Sequence, residues 1–113
     1  MKKESSCVAV FSEMAEANNA IQHIITMGID KNHVSLIGET VQQGKVAADG
    51  LEYFDSDLLQ LGIHKANLYC YKALIYSGSY LVVVNGSHTV VEQAYKHLEQ
   101  YTGADVAIHF NSA

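Results

Sequence analysis

Four short apolar runs along the chain predict β-strands. They cover residues 7–11, 33–37, 80–84 and 106–110. The runs 7–11 and 80–84 are apolar throughout, which is typical of strands that are buried on both faces. The run 33–37 alternates in part between polar and apolar residues.

A helix is predicted after the first strand, because its apolar residues recur at spacings of three and four. Ser12 is the predicted cap at its start, since a serine hydroxyl accepts hydrogen bonds from free helical amides. Glu13 and Glu16 then fall in the first turn, and Gly28 ends the helix. The apolar stripe consists of Ala17, Ala20, Ile21, Ile24 and Met27.

A second helix is predicted after the run 80–84. Thr89, followed three residues later by Glu92, forms a capping-box pattern at its start. The inner face of this helix is formed by Val90, Val91, Ala94, Leu98 and Tyr101, and Gly103 ends it.

Between these two strand–helix–strand units lies a longer connection. Residues 38–54 are polar and irregular and predict a long flexible loop. Residues 55–77 predict an inserted helical segment, interrupted near residues 61–63 and ended by Gly78.

Two βαβ units in 113 residues predict one α+β domain over residues 1–113, a ferredoxin-like split βαβ sandwich. Its sheet has four antiparallel strands, with 7–11 and 80–84 at the centre and the other two at the edges. Two helices cover one sheet face only, so the other face needs the inserted helix or a second subunit. We expect a homo-oligomer, a dimer in the simplest case.

Composition narrows the class of protein. Hydrophobic residues make up 49% of the chain and charged residues 17%, which indicates an ordinary globular domain. A net charge of -5 without any arginine argues against nucleic-acid binding. No apolar run is long enough to span a membrane, and the N-terminal residues do not resemble a signal peptide, so we expect a cytoplasmic protein. Cys7 and Cys70 lack metal-ligand spacing and are expected to be free, buried and inert thiols.

The order of these elements and several local patterns resemble the YflT-like general stress proteins, also called heat-induced stress protein domains. The segments that carry the resemblance are Val8-Ala9-Val10-Phe11, Val34-Ser35-Leu36-Ile37-Gly38, Leu61-Gly62-Ile63, Tyr71-Lys72-Ala73-Leu74, Leu81-Val82-Val83-Val84 and Gly103-Ala104-Asp105-Val106. The resemblance implies a stress-associated or regulatory role. It brings no catalytic residues to carry over and implies no cofactor.

The histidines do not show the spacing of a metal site. His88 and His97 are nine residues apart, which places them on opposite sides of one helix. His33 and His109 would lie on opposite sheet edges, and His23 falls on the polar face of the first helix. We therefore expect no metal site. The chain also lacks GxSxG and any recognisable nucleophile arrangement, so we expect a protein that is not an enzyme.

One junction remains a candidate for ligand binding. Asn85, Gly86, Ser87 and His88 lie between a central strand and a helix start, where backbone amides favour anions. A cluster of tyrosines is predicted around the second half of the inserted helical segment and the strand after it, formed by Tyr69, Tyr71, Tyr76 and Tyr80. It is compatible with edge packing, an interface or a ligand cleft.

Two functional hypotheses follow. The first is a non-catalytic, stress-associated or regulatory domain that acts through self-association or binding of a protein partner. The alternative is a PII-like sensor of a small molecule or anion, which would use the long loop 38–54 together with residues 85–88.

Overall fold

The chain folds as an antiparallel sheet with helices on both of its faces. The computed structural model describes residues 5–38, 42–43, 65–101 and 105–109. The strands are β1 (Ser5–Phe11), β2 (Val34–Ile37), β3 (Gln42–Gln43), β4 (Tyr80–Gly86) and β5 (Asp105–His109). The helices are α1 (Met14–Thr26), α2 (Leu68–Tyr76) and α3 (His88–Leu98). Short 3-10 turns at Lys31–His33 and Lys65–Asn67 precede β2 and α2.

The strand order confirms the predicted ferredoxin-like α+β fold. The order across the sheet is β3-β2-β4-β1-β5, and every neighbouring pair is antiparallel. The central strands β1 and β4 are the two that lead into α1 and α3, as expected for a split βαβ arrangement. The predicted inserted helix is present as α2 over Leu68–Tyr76, and residues 55–64 lie outside the described part.

The edge next to β2 differs from the prediction. Leu36 pairs with Gln43 and Ile37 pairs with Gln42, so β3 covers the outer side of β2 at its end. The segment predicted as a loop over 38–54 therefore contains a two-residue strand. The rest of that segment beyond Gly38 lies outside the described residues.

Both predicted helix caps were assigned to the wrong residue. Glu13 is the N-cap of α1 and makes no side-chain cap hydrogen bond, so the predicted Ser12 cap is wrong. Ser87 is the N-cap of α3, and its hydroxyl accepts from the Val90 amide at 3.3 Å. Thr89 is thus already inside the helix. Helices α1 and α3 begin close to the point where the chain leaves the sheet. The capping pattern alone did not locate that point.

One face of the sheet is covered by α1 and α3. Alternate residues of the central strands pack there against the buried stripes of both helices. The buried residues are Cys7, Ala9, Phe11, Ala17, Ala20, Ile24, Ile29, Val34, Leu36, Val82, Val84, Val91, Ala94 and Leu98. Most of the predicted stripe residues belong to this core or pack against it, but Met27 is exposed, so its predicted place in the stripe of α1 is wrong.

The opposite face is covered by α2. Leu68, Tyr71 and Ile75 are buried on this helix. They belong to a second core together with Val8, Ile37, Leu81 and Val83 from the strands. The sequence alone did not decide whether the inserted helix or a second subunit covers this face. In the structure, α2 of the same chain covers it.

Candidate functional site

The predicted ligand residues lie together at the β4–α3 junction, but they differ in burial and in structural role. Asn85 and Gly86 are the last two residues of β4, not a loop. The Asn85 residue is fully buried, Ser87 caps α3, and His88 is exposed in the first turn. The Ser87 hydroxyl is already engaged with the helix it caps.

The imidazole of His33 stands beside Gly86 at this junction. His33 Nδ1 lies 2.9 Å from the Asn85 carbonyl oxygen, a contact in which the ring N–H donates. A Cβ placed on Gly86 would lie 3.2 Å from the same nitrogen, and the φ of Gly86 is 153°. Glycine is therefore required here for packing against His33 and for backbone conformation.

A polar row crosses the second sheet face at this same end. Ser6 pairs with Asn85 on one side and with His109 on the other, so the three side chains share one face. Tyr71 of α2 contacts this row, because its hydroxyl lies 2.8 Å from His109 Nε2. Within the described part of the chain, the buried Ser6 hydroxyl has no hydrogen-bond partner. The contact between Tyr71 and His109 links α2 to β5 of the sheet.

The outer face of α2 carries large aromatic and small side chains, which is unusual for an exposed helix surface. Tyr69 is 84% exposed and Tyr76 is 55% exposed, and the exposed Ala73 lies between them at helical spacing. Cys70 is exposed on the same side. We call Tyr69, Cys70, Ala73 and Tyr76 the outer tyrosine face.

The four tyrosines predicted as one cluster therefore separate. Tyr71 is buried beneath α2, whereas Tyr69 and Tyr76 face outward. Tyr80 is half-buried and packs against the core on the side of α1 and α3. Tyr69 and Tyr71 lie on different faces of α2, because residues two positions apart do not share a helix face.

The two thiols also differ. Cys7 is fully buried, as predicted, and burial raises its pKa to about 12. Cys70 is exposed, so the expectation of a buried thiol is wrong at this position. An apolar sequence pattern does not distinguish the two faces of α2, because both faces are apolar.

A second cluster, missed by the sequence, lies between α1 and α3. The ring centres of His23 and His97 are 5.5 Å apart, and Tyr101 lies against both rings. The Tyr101 hydroxyl is 2.6 Å from His23 Nδ1. Burial, and then the neighbouring His23, lower the pKa of His97. The two histidines come from helices far apart in sequence, so spacing along one helix could not reveal their contact.

The described residues do not form a larger metal-ligand group. Among the described residues, three or more histidine, cysteine, aspartate or glutamate side chains do not come together at any point. No helix in the described ranges has the length and apolar character needed to cross a membrane.

Comparisons with family models, with curated proteins and with solved structures gave no match for this chain.

Proposed function

We propose that the protein is a non-catalytic regulatory module, stress-associated as the resemblance implies, that pairs with a second copy of itself through the outer tyrosine face of α2. The exposure of Tyr69 and Tyr76 on this helix carries the proposal. A helix that is apolar on all sides is normally buried on all sides. The inner face of α2 is buried against the sheet, so its outer face is the part that lacks cover in one chain.

A second copy fits this face better than a charged partner does. The nine residues of α2 contain one lysine and no acid, so two copies meet without repulsion between carboxylates. Ala73 leaves a gap between the two tyrosine rings, and a ring from the facing helix can fill that gap. Tyrosine is also enriched at the centres of protein interfaces.

The size of the face sets the strength of the pairing. A nine-residue helix is about 13.5 Å long, and a stable complex buries about 800 Å² per partner. One short helix face falls below that area. We therefore expect a dimer that dissociates on dilution, as a regulatory association requires.

Sedimentation velocity over a range of protein concentrations tests the proposal. The untagged protein should shift from monomer to dimer as concentration rises. The double variant Tyr69→Ser/Tyr76→Ser should weaken dimerisation at least tenfold, while its helical circular dichroism stays unchanged. Met27→Ser is the matched control, because Met27 is also a large exposed apolar residue but does not belong to α2.

The exposed thiol offers an independent readout. A short bismaleimide should join two chains through Cys70 at concentrations where the dimer forms, whereas the buried Cys7 should not react. Either a wild-type protein that stays monomeric at the highest concentration or a double variant that dimerises as well as wild type would overturn the proposal.

We also propose that the protein is cytoplasmic. Two free cysteines fit the cytoplasm, where thiols stay reduced. The PII-like sensor remains a prediction, and no observation in the described residues favours it, since Ser87 is engaged in capping and most of the loop 38–54 lies outside them.

A further inference from the structure

We propose that His23 and His97 together bind one divalent first-row transition-metal ion, such as Zn²⁺ or Cu²⁺, between the last turns of α1 and α3. This departs from the sequence-based expectation of no metal site. The ion would have two imidazole ligands from the protein and water at its remaining positions.

The spacing of the two rings fits a shared ion. A zinc–imidazole bond is about 2.0 Å long, so two rings that bind one tetrahedral ion have centres about 5 Å apart. The rings of His23 and His97 have centres 5.5 Å apart. Their planes are nearly perpendicular, at 84°, so we expect a ring to rotate about its side-chain bonds when the ion binds.

Each imidazole has a nitrogen suited to the ion. With Nδ1–H of His23 donating to the Tyr101 hydroxyl at 2.6 Å, His23 Nε2 carries the lone pair. Metal-bound histidines usually hold their second nitrogen in such a hydrogen bond. In the described part of the chain, the buried Nε2 of His97 has no hydrogen-bond partner. The cluster thus contains one oriented ligand and one nitrogen with an unused bonding capacity.

The local field also suits a cation. His23 lies in the last turn of α1 and His97 in the last turn of α3, where the carbonyl ends of helices favour positive charge. The chain as a whole carries a charge of -5. Lys96, which lines a groove beside His97, opposes the ion and limits its affinity. We therefore expect weaker binding than at zinc sites with four protein ligands.

Isothermal titration calorimetry of the untagged, chelator-treated protein with ZnCl₂ and CuCl₂ tests the site. We expect one ion per chain, with Cu²⁺ bound more tightly than Zn²⁺, as is usual for imidazole ligands. His23→Gln and His97→Gln should each weaken binding at least tenfold. His88→Gln is the matched control, because His88 begins the same helix as His97 but lies at its other end.

A second readout separates the site from a general loss of structure. In NMR spectra, Zn²⁺ should shift the ring signals of His23 and His97 and leave those of His88 in place. Tyr101→Phe should retain one ion per chain with reduced affinity, because it removes only the hydrogen bond that orients His23. Absence of binding, or binding that His88→Gln weakens as much as His97→Gln does, would overturn the proposal.

Discussion

At the scale of single residues, burial decides the chemistry of the thiol and phenol groups near the sheet. Cys7 lies in β1 and is fully buried, which raises its pKa from 9.0 to about 12. Tyr71 has a pKa raised from 10.0 to about 12, mainly by burial and further by the nearby thiols of Cys7 and Cys70. Both groups are therefore held neutral in the folded state over a pH range in which the unfolded chain ionises.

This difference predicts alkaline destabilisation. Since the folded pKa of Cys7 is raised, its contribution to stability is complete below about pH 9 and is lost as the pH rises towards about 12. Each such group lowers the free energy of unfolding by up to about 1.4 kcal/mol per pH unit in that window. Urea unfolding at several pH values should show this slope. Cys7→Ala should make the slope shallower, and Cys70→Ala should change it much less, because the exposed Cys70 is the smallest of the three causes that raise the pKa of Tyr71. Equal slopes in wild type and Cys7→Ala would refute this account.

Residue types also explain what the sequence could and could not predict about the candidate sites. Burial of Cys7 followed from a strand that is apolar on both faces. The exposure of Cys70 did not follow, because α2 is apolar on both sides and only the packed structure shows which side meets the sheet. The contact of His23 with His97 depends on how two helices pack, and no spacing along the chain contains that information.

At the scale of elements, the positions of the three helices and of β1, β2, β4 and β5 followed from the hydrophobic pattern, whereas β3 did not. The ends of the helices depended on individual hydrogen bonds. The predicted cap at Thr89 and the observed cap at Ser87 are two residues apart. The observed strand β4 continues through Gly86, so the helix starts as soon as the chain leaves the sheet. A capping-box pattern inside a helix cannot be distinguished from a true helix start unless the end of the preceding strand is known.

The two possible caps of α3 can be compared directly. Ser87→Ala removes the hydroxyl that accepts from the Val90 amide and should lower the free energy of unfolding by about 1 kcal/mol. Thr89→Ala, which changes an exposed residue inside the helix, should change it by less than about 0.5 kcal/mol. Thermal and urea unfolding of both variants measure the difference. A larger loss for Thr89→Ala than for Ser87→Ala would restore the sequence-based assignment.

At the scale of the whole molecule, α2 connects the second core with the proposed association surface. Its buried side packs on Val8, Ile37, Leu81 and Val83, and its other side carries the outer tyrosine face. The hydrogen bond between Tyr71 and His109 links the helix to β5 at the polar end of this layer. We therefore expect a change in the packing of α2 on the sheet to alter both the stability of the domain and the presentation of its outer surface.

The bond between Tyr71 and His109 provides the final test of this coupling. Tyr71→Phe keeps the ring in the second core but deprives buried His109 of this partner, which should cost about 1–3 kcal/mol in the free energy of unfolding. Hydrogen exchange should then become faster in α2 than in α1, because only α2 loses its polar tie to the sheet. Tyr76→Phe, at an exposed position of the same helix, should leave stability and exchange unchanged.

Dimerisation should weaken in Tyr71→Phe although the outer tyrosine face is intact, since a helix that detaches more often presents that face less often. If exchange in α2 stayed as slow as in wild type, the helix would be held by its apolar contacts alone, and the proposed coupling would be wrong.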